Sequence, residues 1–215
     1  LLSTSLAGLF SNLFDWKVIH VVSGILMLIL AYALKSRLPY VMRIKMDYRQ
    51  IFVSMAELLK QEKRLLLRAL TGAFAFAAVS ILYSTIALLL TAAHHLPDLV
   101  IGMVSLVGIF GALSTQYIGR YADQGYTKQL TWIGCGLFIL SWICFYFGQT
   151  FLFCYILGFA VIQLALALVH TSNQSIIFRL RPDAKSRINA IYMTAYFTGG
   201  ACGSALGIFS WNHGG

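Results

Sequence analysis

KSRLPYVMRIKMDYRQIFVSMAELLKQEKRLLLR, residues 35–68, carries nine of the sixteen Lys and Arg residues of this 215-residue chain. A long apolar stretch precedes it and another follows. Moving outward, the next basic gap is 119–128, with Arg120 and Lys128. The one after it is 179–187, with Arg179, Arg181, Lys185 and Arg187. The alternate gaps hold only Lys17. Positive charge in every second gap between apolar segments is the pattern of a polytopic membrane protein with its basic loops in the cytoplasm. The expectation is an all-α, polytopic helical membrane protein. Residues 35–68, 119–128 and 179–187 are expected inside, and 14–17, 93–98, 148–150 and the tail from Trp211 outside.

The composition agrees. Hydrophobic residues make up 59% of the chain and charged residues 11%, against about 25% charged in soluble domains. The net charge of +9 does not point to nucleic acid, which requires a basic face on one folded domain. Here the bases are divided among loops, where anionic lipid is the expected neighbour. Cys135, Cys144, Cys154 and Cys202 all lie inside apolar segments without a CxxC pair. They read as small buried hydrophobes rather than a disulfide framework or a zinc site. No signal peptide is visible, and the chain begins at Leu1 in the middle of an apolar stretch, as a piece of something longer would.

A bilayer-spanning helix needs about 20 apolar residues. Six segments qualify: 18–34, 66–92, 99–118, 130–147, 151–178 and 189–210. Residues 1–13 read as the outer end of a further span. No dyad alternation of the barrel type is present. The chain therefore divides into 1–34, the end of one bundle; 35–65, a linker; and 66–215, five spans. Within the linker, Ile51, Phe52, Met55, Leu58 and Leu59 recur at helical spacing, with Arg49, Gln50, Glu57, Lys60, Gln61 and Lys63 opposite. That predicts an amphipathic helix over 47–64 lying in the inner membrane interface. Docking on a partner is the alternative.

No Asp, Glu, Lys or Arg falls at the centre of a span, with Arg68 counted among the loop bases. Charged groups there would mark ion or proton paths. The polar candidates are Tyr83, Gln163, His170, Asn173 and Gln174. A Gln in hydrocarbon must be hydrogen-bonded or face a wet cavity, and Gln163 falls near the midplane, where transporters bind substrate. His170 can titrate near neutral pH. For each, interhelical bonding is the structural alternative to substrate contact. Gly199, Gly203 and Gly207 recur every four residues, a stripe that lets another helix approach closely and that can also serve as a sliding surface. Enzyme chemistry is not indicated. His94-His95 lacks the i,i+4 spacing of a helical metal pair, and no catalytic triad, metal cluster, cofactor loop or phosphate-binding loop is seen.

GRYADQGYTK (119–128) resembles the loop signature of the major facilitator superfamily. Asp15-Trp16-Lys17 resembles the turn before that family's sixth helix. FAFAAVSILYSTIALLL (74–90) resembles its seventh helix in the drug and sugar (arabinose-type) efflux permease branch. RINAIYMTAYFTGGACGSALG (187–207) is similar to that branch's eleventh. On this mapping the chain runs from the end of helix five to helix eleven of twelve. It is the second six-helix half without its last helix, plus helix six and the end of helix five. The resemblance implies a secondary active transporter of the bacterial inner membrane. Two halves would rock about a midplane site, expelling a small neutral or amphipathic solute, with proton coupling as an option. Its partners would be that solute, the lipid bilayer and the missing first-half helices. The resemblance also assigns Gly119, Asp123, Gly125 and Lys128 to a cytoplasmic gate. There Asp123 accepts from a helix N-terminus or an Arg. Two positions depart from the signature: Gln124 stands where an Arg follows the Asp, and Gly125 comes one residue early. The competing expectation is a truncated product without transport activity.

Overall fold

The computed structural model describes residues 16–37 and 47–214. Within them the chain forms α1 (Trp16–Arg37), α2 (Tyr48–Gln61), α3 (Lys63–His94), α4 (Asp98–Leu106), α5 (Ile109–Tyr121), α6 (Thr127–Gly148), α7 (Leu152–Leu180) and α8 (Lys185–Gly214). A five-residue π-turn, Ala122–Tyr126, joins α5 to α6, and a 3-10 turn, Pro182–Ala184, leads into α8. No strand occurs among the described residues. The expected span end at 1–13 and linker residues 38–46 lie outside them.

Four helical runs are long and apolar enough to cross a membrane: His20–Arg37, Lys63–His94, Ile109–Gly148 and Leu152–Leu180. Two sequence expectations need correcting. The third span, 99–118, is not one helix but two, broken at Val107-Gly108. The run GIFG (108–111) contains two glycines, both weak helix formers. Gly111 also lies against α7, where an added Cβ would stand 2.7 Å from the Gln163 carbonyl. The second correction concerns the tail from Trp211, expected as an outer turn. It continues α8 to Gly214, with Phe209 and His213 stacked one turn apart at 4.2 Å. α8 itself is absent from the four strongly apolar runs because Gly, Ser, Thr, Tyr and Asn dilute it.

α7 occupies the middle of the bundle. α5, α6 and α3 all pack on it, and α8 packs mainly along α3. Tyr155, Phe159 and Ile162 of α7 are buried with Val79 and Leu90 of α3. A second cluster at the other end of α3 gathers Leu65, Ala69, Ile177, Ile188 and Tyr192. Leu58 of α2 belongs to it, with Met55 and Leu59 alongside. The apolar face of α2 therefore docks in part on its own bundle. Phe52 and Val53, nearer its start, stay exposed at 70% and 50%. On α1 every side chain from His20 to Arg37 is exposed.

The charged turns gather at one end. Arg181 reaches Glu62 (3.8 Å) and Arg179 reaches Asp123 (2.9 Å), so the turns before α3, before α6 and after α7 meet. At the opposite end His94 Nε2 is hydrogen-bonded to the Gly148 carbonyl at 2.9 Å. Among the described turns, the basic ones thus lie at one end of the bundle and the non-basic ones at the other.

Candidate functional site

Two polar arrangements interrupt the apolar interior. The larger links four helices. Arg68 Nη1 on α3 donates to Thr131 Oγ1 on α6 (3.1 Å) and to Asn173 Oδ1 on α7 (3.3 Å). Asn173 Nδ2 donates back to the Arg68 carbonyl (3.3 Å) and to the Tyr192 hydroxyl on α8 (3.5 Å). That hydroxyl is also 3.1 Å from His170 Nδ1. Asn173 and Tyr192 have no exposed surface. Buried polar groups in such a place need partners, and each of these supplies another's.

The smaller arrangement is Gln163 Nε2 donating to the Tyr83 hydroxyl at 3.0 Å, with Tyr83 set edge-on to Phe159. Gln163 is buried, and its Oε1 has no hydrogen-bond partner. That oxygen belongs to a residue lining a cavity of about 220 Å³ between α5 and α7, together with Gly108, Thr115, His170, Thr171 and Tyr196. Of the five sequence candidates, Gln163 and His170 therefore share one cavity. Tyr83 reaches it only through Gln163. Asn173 faces Arg68 instead, and Gln174, half-buried, is not part of the lining.

The loop 119–128 is built around a turn. Gly125 has φ +100° with open space around it, a conformation glycine adopts without the steric cost of a Cβ. Asp123, just before it, accepts from Arg179 Nη2 at 2.9 Å and from Ser175 Oγ at 3.4 Å, both on α7. Gly119 sits on the last turn of α5 near Thr171, and Lys128 opens α6. The Arg that engages Asp123 thus comes from this same bundle.

Gly199, Gly203 and Gly207 line the face of α8 that meets α3. An added Cβ at Gly199 or Gly203 would collide with the carbonyl of Ala73 or Ala77, and at Gly207 with Ser84 Oγ at 2.5 Å. The residue the sequence reading missed is Arg68. It interrupts LLLRALTG at the start of a span and looks like the last base of the loop. The available signal is that polar side chains, Thr131 and Asn173, fall at a similar depth near the basic ends of two other helices. Among the described residues no group of three His, Cys, Asp or Glu side chains could hold a metal ion.

The sequence model of the family described as the Major Facilitator Superfamily matches residues 1–204. A protein of Escherichia coli strain K12 and one of Escherichia coli O157:H7, both named as the uncharacterized transporter YgaY, are each 39% identical over 217 residues. The match covers 100% of this chain and 55% of each relative, so the chain spans about half the length of these relatives. No solved structure matches.

Proposed function

We propose that this chain, which belongs to the major facilitator superfamily, forms most of one half of a secondary transporter working by alternating access. The observation that carries the reading is the cavity between α5 and α7 lined by Gln163, whose Oε1 is buried without a partner beside it. A buried amide oxygen with no donor is costly in an apolar interior. A solute in the cavity would relieve that cost by donating to Gln163 Oε1 once the amide turns toward it, and Thr115, Thr171 and Tyr196 supply further polar and aromatic contacts. No fixed charge lines this cavity, which suits a small neutral or amphipathic solute. His170 is the one imidazole in the lining, and it is our choice for any proton coupled to transport. The α3–α8 seam of small residues would keep these two helices together as the half moves, and the turn at Asp123 would form part of an inner gate. Efflux across a bacterial inner membrane, with the basic turns in the cytoplasm, completes the proposal. The residues of the other half would close the cavity.

The test is accumulation profiling of cells with and without the intact gene. It is followed by flux of the responding solute in vesicles carrying wild type or Gln163→Leu. We expect one or more solutes to accumulate without the gene. Gln163→Leu should raise KM by about tenfold, the effect of losing one hydrogen bond of about 1.4 kcal/mol. Identical profiles with and without the gene would favour an inactive product. An unchanged KM would remove Gln163 from the site.

A further inference from the structure

Taking the α5–α7 cavity as a solute site, as proposed above, we infer that Asn173 and Tyr192 lock His170 as a neutral imidazole with its proton on Nε2. The cavity then takes solutes that present a neutral oxygen acceptor, such as a carbonyl or ether, to that N–H. Each hydrogen bond in the chain has a direction. A guanidinium can only donate, and a backbone carbonyl can only accept. Arg68 Nη1 is 3.3 Å from one end of the Asn173 amide, and the Arg68 carbonyl is 3.3 Å from the other. The first end must therefore be Oδ1 and the second Nδ2, which settles an amide otherwise open to flipping. Asn173 Nδ2 meets the Tyr192 hydroxyl, at 3.5 Å, as a donor. The hydroxyl accepts there, and its own hydrogen needs another acceptor. Among its hydrogen-bond contacts that acceptor is His170 Nδ1, at 3.1 Å.

The opposite tautomer fails on the same count. With a proton on His170 Nδ1, two donors face the Tyr192 oxygen and the phenolic hydrogen is left without an acceptor. Tyr192 has no exposed surface, so stranding that hydrogen is costly. Tyr196, with its ring centroid 4.9 Å from that of His170, restricts the tilt of the imidazole. A ring bonded through Nδ1 to α8 leaves Nε2 to the cavity that His170 lines. An N–H at that place donates and cannot accept. An ammonium, which also only donates, therefore finds no partner there. Tyr192 is not part of the cavity lining, so it acts as a positioning residue, with Asn173 and Arg68 behind it.

The experiment is nitrogen NMR of the intact transporter, isotope-labelled at histidine, in detergent at neutral pH. The His170 signals are those lost in His170→Gln. The protonated and bare nitrogens of a neutral imidazole resonate far apart, so the tautomer is read directly. We expect Nε2–H in the wild type. Tyr192→Phe should weaken that preference about tenfold, the effect of removing one buried hydroxyl that the other tautomer would strand. Asn173→Asp should reverse it, because a carboxylate accepts from Tyr192 and leaves the hydroxyl oxygen to accept from His170 Nδ1. Nδ1–H or a doubly protonated ring in the wild type would overturn the inference, as would a tautomer unchanged in both variants. Cyclohexanone and cyclohexylammonium, alike in size, then probe the cavity. The ketone should move the Nε2 signal and the ammonium should not. An equal response to both, or none to the ketone, would overturn the acceptor requirement. None of these readouts uses transport. Should cells with and without the intact gene accumulate solutes alike, the transport proposal falls while the tautomer and the ketone response stand.

Discussion

The glycine seam and the Arg68–Asn173–Tyr192 chain hold the same two helices, α3 and α8, by opposite means. Along the seam the backbones touch with almost nothing between them, as glycines of α8 lie on Ala73 and Ala77. Nearer the basic end, long polar side chains bridge the helices and draw in α6 and α7 as well. Lipid tails are as apolar as Leu, so helices in a bilayer gain little from hiding apolar surface against one another. Close packing and hydrogen bonds are what remains. The two devices differ in what they permit. A smooth seam fixes distance but resists sliding only weakly, whereas a hydrogen-bonded tie fixes register. A helix held by both is fixed in register at the tie and in distance along the seam.

The comparison breaks first at the seam. Gly203→Val places a branched side chain where the Ala77 carbonyl already stands. We expect a loss of about 3 kcal/mol or more, since the backbone cannot yield as a side chain would. The readout is a lower melting temperature in detergent and a broadened size-exclusion peak. Gly136→Val on α6, where nothing lies within 4 Å, is the matched control and should change stability by no more than about 0.5 kcal/mol. Equal effects at the two positions would mean the seam is not close-packed.

The polar tie is expected to be softer. Asn173→Leu leaves Arg68 and the Tyr192 hydroxyl short of a partner in a buried place. The expected cost is about 2 kcal/mol, that of stranding buried polar groups. Tyr192→Phe removes the hydroxyl at the other end. If the groups act as one chain, the double variant should cost less than the two singles together by at least about 0.5 kcal/mol. Strict additivity would reduce the chain to separate contacts.

Much of this was legible in the sequence, and the misses share a cause. Hydropathy located the helices at 18–34, 66–92, 130–147 and 151–178, because it depends on composition within a local window. The every-fourth spacing of Gly199, Gly203 and Gly207 announced a close helix contact. The identity of the partner, α3, is a long-range fact that no local pattern carries. Gln163 and His170 lie seven residues apart, two turns on one helix face, so their shared cavity follows from periodicity. Asn173, three residues further on, shares the Tyr192 hydroxyl with His170 as the same rule expects, but it sits one turn nearer the basic end, where Arg68 takes it up outside the cavity. Arg68 escaped because a charge at a span edge reads as loop. Only the positions of Thr131 and Asn173 on neighbouring helices tie it into the bundle.

The smallest expected effects lie where similar chemistry leaves the bundle. Asp123 and Arg179 are joined at 2.9 Å, shorter than any bond in the buried chain, yet their side chains are 74% and 54% exposed. Water solvates both charges when the contact opens, so Asp123→Asn should cost less than about 1 kcal/mol. Much of that should vanish at about 1 M salt, where the screening length is roughly 3 Å. Gly125→Ala, two residues away, is the informative neighbour. There is open space for the added methyl, but φ of +100° is unfavourable for any residue with a Cβ, at about 1 kcal/mol or more and independent of salt. Melting temperatures of the two variants at low and high salt separate the contributions. The turn is then held by its backbone angle, and the ion pair is left free to break and re-form. Should Asp123→Asn prove as costly as Asn173→Leu, exposure would not be what separates the outer tie from the inner one.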